Sequence, residues 1–180
     1  TLKAPPGTGL VGYWSFNEGT STRAEDYSGN KNFGTLTLMA NPATASSGWG
    51  NGRLGKGLIF DGSNDLVSAG SMATMNSLAA VTYCAWVNPT ALAINQTFLS
   101  KFNGAAAGVF FQTNFQAPAG GVVFGFNGSH FVYVNTAFLA NNTWSFVCGV
   151  FDNSLGAAKH KIYINGISRT WTNFGSPDAV

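Results

Sequence analysis

NTWSFVCGVFDNSLGAAKHKIYINGISRTW, residues 142–171, decides how the chain reads. Trp144 to Phe151 is rich in aromatic and β-branched residues and alternates along its length. Trp144, Phe146, Cys148 and Val150 fall on one face, and Ser145, Val147, Gly149 and Phe151 on the other, as a period-two strand requires. Asp152-Asn153-Ser154-Leu155-Gly156 interrupts it, and Lys161-Ile162-Tyr163-Ile164 starts a second strand. Asn165-Gly166 tolerates positive φ at both positions and closes a two-residue hairpin onto Ile167-Ser168-Arg169. The segment reads as strand and turn throughout.

The rest of the chain has the same grammar. Leu10–Phe16 reads as a first strand, after an extended leader at 1–9 that contains Pro5-Pro6-Gly7. Residues 17–33 form a polar loop too long for a simple connector. Gly34–Met39 reads as a short strand, and residues 40–57 as a Gly/Ser/Asn-rich excursion. Leu58–Phe60, Asp61-Gly62 and Leu66–Ala69 read as strand, turn and strand. Ser71–Leu78 holds at most one helical turn. Val81–Val87 (VTYCAWV) is a strong central strand stopped by Asn88-Pro89. Further strands fall at Thr97–Phe102, Val109–Thr113, Val122–Phe126 and His130–Asn135. Short strands with turns every 8–12 residues and no amphipathic helix predict an all-β sandwich. Val122-Val123-Phe124-Gly125-Phe126 is apolar on both faces, so it is covered on both sides or faces a partner.

Composition bounds the function. The chain has 180 residues, which suits one domain, and 45% are hydrophobic, which excludes disorder. Only 9% are charged, against about 25% in a typical domain, so Asn, Ser, Thr and Gly supply the polarity. That balance suits a secreted β-protein. The net charge of +2 comes from scattered residues, whereas nucleic-acid binding needs clustered Lys and Arg. No apolar run reaches the ~18 residues of a membrane span. The chain opens Thr1-Leu2-Lys3 without Met or an apolar signal core, as a processed or trimmed terminus would. Cys84 and Cys148 fit no metal motif, and each lies mid-strand on the same face as a tryptophan (Trp86 and Trp144). They are either cross-strand partners in a disulfide, which requires an oxidising compartment, or two buried free thiols.

In this order the pieces resemble the LamG-like (laminin G, concanavalin A-like lectin-glucanase) jelly-roll family. The matching stretches are GLVGYWSFNEG (9–19), DYSGNKNFGTL (26–36), GKGLIFDGSNDLV (55–67), VTYCAWVNP (81–89), NTWSFVCGVFD (142–152) and KIYINGI (161–167). The resemblance implies a jelly-roll sandwich of two antiparallel sheets over residues 10–180. It implies little about activity, because this sandwich is reused for many roles. Family members usually close with a further strand pair, whereas this sequence stops at Gly175-Ser176-Pro177-Asp178-Ala179-Val180. The resemblance therefore implies a fragment or an edge supplied from elsewhere, which invites pairing with another chain, the leader being one donor for a neighbouring copy.

Asp26, Asn30 and Asn32 offer oxygens on a tight Gly-containing loop. Similar segments in the family often hold a structural Ca2+, which wants six to eight such ligands. The competing reading is a loop self-capped by Asx-turns, favoured by Lys31. Asp61-Gly62-Ser63-Asn64-Asp65 reads as a turn. Trp14, Phe16, Phe60 and Trp144 fall at family core positions. Trp86, Phe111, Tyr133 and Trp171 are the aromatics placed to stack on a sugar ring, with Asn114, Asn135 and Gln112 as neighbouring hydrogen-bonding groups. Core packing is the alternative for each. His130 and His160 read as solvated surface residues. The only glutamates are Glu18 and Glu25, no strand carries two acids, and Asp152 reads as a turn cap, so the paired carboxylates of a glycoside hydrolase are missing. Three glycosylation sequons, beginning at Asn95, Asn127 and Asn141, are no more than chance supplies in so Asn-rich a chain.

The leading expectation is an extracellular or cell-surface, non-catalytic module that recognises glycans or polysaccharide, carried by a larger protein. The alternative is a structural or adhesive subunit that assembles with other copies of itself through an open sheet edge. Nucleic acid and membrane insertion are not expected.

Overall fold

The computed structural model describes residues 7–76, 78–92, 95–102, 108–113, 119–126, 130–134 and 136–174. The chain forms two compact units, Thr1–Ser77 and Leu78–Val180. Both are built from antiparallel strands, and the described helical residues are confined to two short 3-10 segments, Ala73–Met75 and Asn153–Ala158.

The first unit contains β1 (Arg23–Ala24), β2 (Gly34–Thr37), β3 (Gly48–Asn51), β4 (Lys56–Ile59) and β5 (Leu66–Ser68). A three-stranded sheet has the order β1-β2-β5, and β3 pairs with β4. The segments that read as strand, turn and strand thus serve different sheets. The turn between them is an Asx-type turn: Asp61 Oδ1 accepts the Ser63 and Asn64 amides at 2.8 and 3.2 Å, and Gly62 has φ of 77°. Because β4 ends at Ile59, Phe60 falls outside the ladder and is 50% exposed, not core.

Leu10–Phe16 is not a strand; it contributes one bridge, Trp14 to Asp26. The Tyr13 carbonyl accepts the Tyr27 amide at 2.8 Å, and several other backbone groups are taken by side chains. The Leu10 and Val11 carbonyls accept from the Asn30 side-chain amide, Val11 also accepts from Asn32, and the Tyr13 amide donates to Asp26. Side-chain partners of this kind compete with a sheet ladder.

The second unit contains β6 (Ala80–Val87), β7 (Thr97–Phe102), β8 (Gly108–Thr113), β9 (Val122–Phe126), β10 (His130–Tyr133), β11 (Ser145–Asp152), β12 (His160–Ile164), β13 (Ile167–Arg169) and β14 (Thr172–Phe174). One sheet has the order β13-β12-β11-β6, the other β14-β10-β9-β8-β7. The β12–β13 hairpin turns on Asn165 and Gly166 with φ of 53° and 77°, the left-handed pair that matches strand twist. Asp152 ends β11 and caps the next segment, accepting the Ser154 amide at 3.0 Å.

The two sheets face each other through the alternate residues that the β11 pattern marks as inward. Val147, Phe151, Ile162, Ile164 and Tyr83 from one sheet, and Val109, Phe111, Val122, Phe124 and Val132 from the other, are buried. Phe124 is the centre of the seam. It meets Phe111 at 5.6 Å and Tyr83 at 6.3 Å between ring centroids, both edge-on. Gly149 opposes it because a Cβ there would lie 2.6 Å from Phe124 Cγ. In β9, Val122, Val123, Phe124 and Gly125 are all buried, so this strand is covered on both faces.

His160 is a core residue, not a surface one. It is 4% exposed, pairs in register with Phe151, and packs against Phe151, Phe124 and Trp171. Burial, with a smaller contribution from the Lys159 charge, lowers its pKa to about 4. A histidine depressed in the folded state leaves the unfolded chain binding the extra proton between the two pKa values. Its neutral form thus supports the fold above pH ~6.5, and that support is lost as pH falls towards 4. Thermal melts from pH 7 to 4.5 should show the wild type losing stability faster than His160→Phe; parallel slopes would exclude this role.

Candidate functional site

The register of β6 on β11 sets what the four-stranded sheet shows on its outer face. Tyr83, Ala85 and Val87 point inward, so Thr82, Cys84 and Trp86 point outward. They oppose Val150, Cys148 and Phe146 of β11. On β12, Lys161 and Tyr163 continue the same face, opposite Val150 and Cys148. Trp86 is 45% exposed and lies 5.2 Å from Phe146 between ring centroids, the planes tilted by 43°. Phe146 is fixed from behind, its amide donating to Asn165 Oδ1 at 2.9 Å and its carbonyl accepting the Asn165 amide at 2.8 Å. Beside the pair, Cys84 and Cys148 are joined in a disulfide, which closes the choice between bridge and free thiols; their Cα atoms are 4.2 Å apart. The result is an aromatic platform with hydroxyls at Thr82, Tyr163 and Ser168 and one cation at Lys161.

The other aromatic candidates are not on this platform. Phe111 is 1% exposed and belongs to the seam between the sheets, because its β8 register places it beside Phe124. Trp171 is half-buried against His160. Tyr133 is half-buried on the five-stranded sheet, next to Phe131. Asn114 and Asn135 lie outside the described residues. Gln112 donates to Asn95 Oδ1 at 3.3 Å. Phe146 and Tyr163 complete the platform, and local sequence does not mark either as a binding residue. Alternation already set Phe146 on the face of Cys148, but its pairing with Trp86 depends on a register between distant segments.

The described carboxylates are engaged within their own loops, Asp61 and Asp65 in the same one, where the Asp61 amide donates to Asp65 Oδ2 at 3.0 Å. Glu25 pairs with Arg23 at 2.9 Å, and its amide donates to Glu18 Oε1. Asp61 and Asp152 accept hydrogen bonds from the turns that follow them, which lower their pKa values.

The loop with Asp26, Asn30 and Asn32 has a different occupant from the expected cation: its own donors. Asp26 is buried, and its Oδ1 accepts the Tyr13 and Ser28 amides, both at 2.9 Å. Its Oδ2 accepts the Ser28 hydroxyl and the Asn32 amide, both at 2.8 Å. Four donors fill the roughly four lone-pair positions of a carboxylate. Burial raises the Asp26 pKa, but these donors outweigh it and hold the carboxyl below its usual range. The Asn30 and Asn32 side chains present their NH2 groups to carbonyls of Leu10 and Val11. Swapping O for N in either would set oxygen against oxygen. The loop as arranged does not fit Ca2+. Among the described residues, no group of three or more His, Cys, Asp or Glu side chains comes together.

A family model described as the concanavalin A-like lectin/glucanases superfamily, of laminin G type, matches residues 61–178. The match covers the VTYCAWVNP, NTWSFVCGVFD and KIYINGI segments and part of GKGLIFDGSNDLV, and it agrees with the antiparallel β-sandwich class. No curated protein and no solved structure matches the chain.

Asp26→Ala would strand the Tyr13, Ser28 and Asn32 amides. The expected cost is about 3 kcal/mol, read in a urea titration, while Ca2+ or a chelator leaves the wild-type melting temperature unchanged. A calcium-dependent rise in that temperature would restore the loop as a metal site.

Proposed function

The chain belongs to the concanavalin A-like lectin/glucanases superfamily, and from that membership we propose a non-catalytic, extracellular module that binds an uncharged glycan on the outer face of β6 and β11. The observation that carries the reading is Trp86, a large aromatic left 45% exposed beside Phe146 on a rigid sheet. An aromatic plane stacks on the apolar face of a pyranose, and neighbouring hydroxyls take its polar rim. The Cys84–Cys148 bridge suits an oxidising compartment. Among the described residues no helix is long and apolar enough to cross a membrane.

The non-catalytic half of the proposal rests on the acids. Asp26, Asp61 and Asp152 are all pulled below the ordinary carboxylate range, opposite to what a proton donor in glycoside hydrolysis needs. Glu25 is ion-paired with Arg23.

A second reading, self-assembly, has one observation in its favour. The strand β6 is the last in its sheet, eight residues long and uncharged, and no described strand pairs with its outer edge. A Cα separation of 4.2 Å marks Cys84 and Cys148 as a non-hydrogen-bonded pair. The Thr82 and Cys84 amides therefore point to that edge, where another chain can pair.

Affinity electrophoresis through gels cast with neutral polysaccharides tests the first reading. Trp86→Ala should weaken retention about tenfold or more, equivalent to about 1.4 kcal/mol or above, with circular dichroism unchanged. Equal retention of variant and wild type would remove the platform as the site. Light scattering tests the second reading: Thr82→Pro sacrifices no ladder bond to β11 and should convert any oligomer to monomer. A wild type that is already monomeric would dismiss it.

A further inference from the structure

We propose that the Cys84–Cys148 bridge is a thiol–disulfide exchange site, opened in the folded protein by a dithiol reductant that attacks the Cys84 sulfur. Three observations lead there.

The bridge is on the outer face of the sheet, and its two ends differ: Cys84 is exposed and Cys148 is buried. Exchange begins with a thiolate reaching one sulfur, and access decides which. Cys84 also sits on the terminal strand β6, so an incoming thiolate approaches from the sheet edge as well as from above.

The bridge is also not what holds its two strands together. From Ser145↔Val87 to Asp152↔Ala80, β6 and β11 share eight consecutive register pairs, and the cysteines are one of them. Ladder continues on both sides, and Tyr83, Val147 and Phe151 bury the opposite face. Cleavage therefore leaves the sheet paired.

Finally, the bridge abuts the platform. Trp86 and Phe146 are the next pair along the same face, two residues from Cys84 and Cys148. Lys161 occupies the diagonal position from Cys148, since it opposes Val150.

The chemistry closes without another reactant. One thiolate of the dithiol attacks Cys84 Sγ, the bridge breaks, and its electron pair leaves on Cys148 Sγ. The second thiolate then attacks the reductant's own sulfur in the mixed disulfide, releasing Cys84 and a cyclic disulfide. Two electrons pass from the dithiol to the bridge, and its two protons end on the cysteines. Freed of the covalent link, the Cys84–Cys148 pair relaxes, and the Trp86–Phe146 contact beside it loosens.

The test needs no glycan, so its outcome is separable from the binding proposal. The oxidised protein is treated with dithiothreitol without denaturant, alkylated with iodoacetamide and weighed, with circular dichroism followed in parallel. Two added alkyl groups at unchanged circular dichroism are expected. A short exposure to glutathione, mapped by peptide mass, should place the mixed disulfide on Cys84. Tryptophan fluorescence should change on reduction in the wild type and not in Trp86→Phe. Alkylation that appears only as the protein unfolds, a mixed disulfide on Cys148, or the same fluorescence response in Trp86→Phe would each overturn the proposal.

Discussion

The pairing of β6 with β11 is the constraint on which the second unit turns. A strand alternates with period two, so sliding β6 by one residue would send Trp86, Cys84 and Thr82 into the core and Tyr83 and Ala85 into solvent. Several independent features hold the register. Tyr83 must face Phe124 across the sheets, and Gly149, its direct partner on β11, is the residue that gives the Phe124 ring room. On the other face the disulfide joins the neighbouring pair. Core packing and covalent chemistry thus specify one alignment from opposite sides, and the composition of the outer platform follows from it.

The first unit solves a different problem. Its loops must satisfy backbone groups largely without a sheet ladder, and one buried carboxylate organises them. Asp26 draws in the amides of Tyr13, Ser28 and Asn32, while the Trp14 indole donates to the Asn32 carbonyl at 2.8 Å and Asn30 and Asn32 hold Leu10 and Val11. A segment with the composition of a strand becomes an anchored loop edge. Donors arranged this closely round one anion do what a cation does elsewhere, drawing distant pieces of chain to one point.

Much of this was legible in the sequence. The β11 alternation, the Asn165-Gly166 turn, the Asp152 cap and the limits of β7, β9 and β13 follow from local rules of period and turn chemistry. What escaped depended on partners far along the chain. Leu10–Phe16 has strand residues, but the side chains that claim its carbonyls come from Asn30 and Asn32. Phe60 is apolar, yet its strand stops one residue short of it. His160 looked like a surface residue beside Lys159 and Lys161, and only its register with Phe151 shows that it faces inward. Among the aromatics, Phe111 and Trp86 occupy similar strands, and the sheet register, not residue type, separates core from platform.

That separation bears on function. Apolar residues scattered on a surface are ordinary, so exposure of Trp86 alone is weak evidence. Its setting is more particular. It sits on a sheet whose geometry is fixed on both faces, it is paired with a second ring, and its strand neighbour on that face is a disulfide instead of a flexible side chain. Each feature limits the motion of a ring that solvent would otherwise leave mobile. Binding gains from such prior ordering, because less freedom is lost when a ligand docks. The low charge of the chain acts in the same direction: the platform is bordered by hydroxyls and by Lys161 and Asp152, whose opposite charges offset each other. Rigidity and neutrality, both set by where β6 lies on β11, make this face the part of the second unit that core packing alone does not explain.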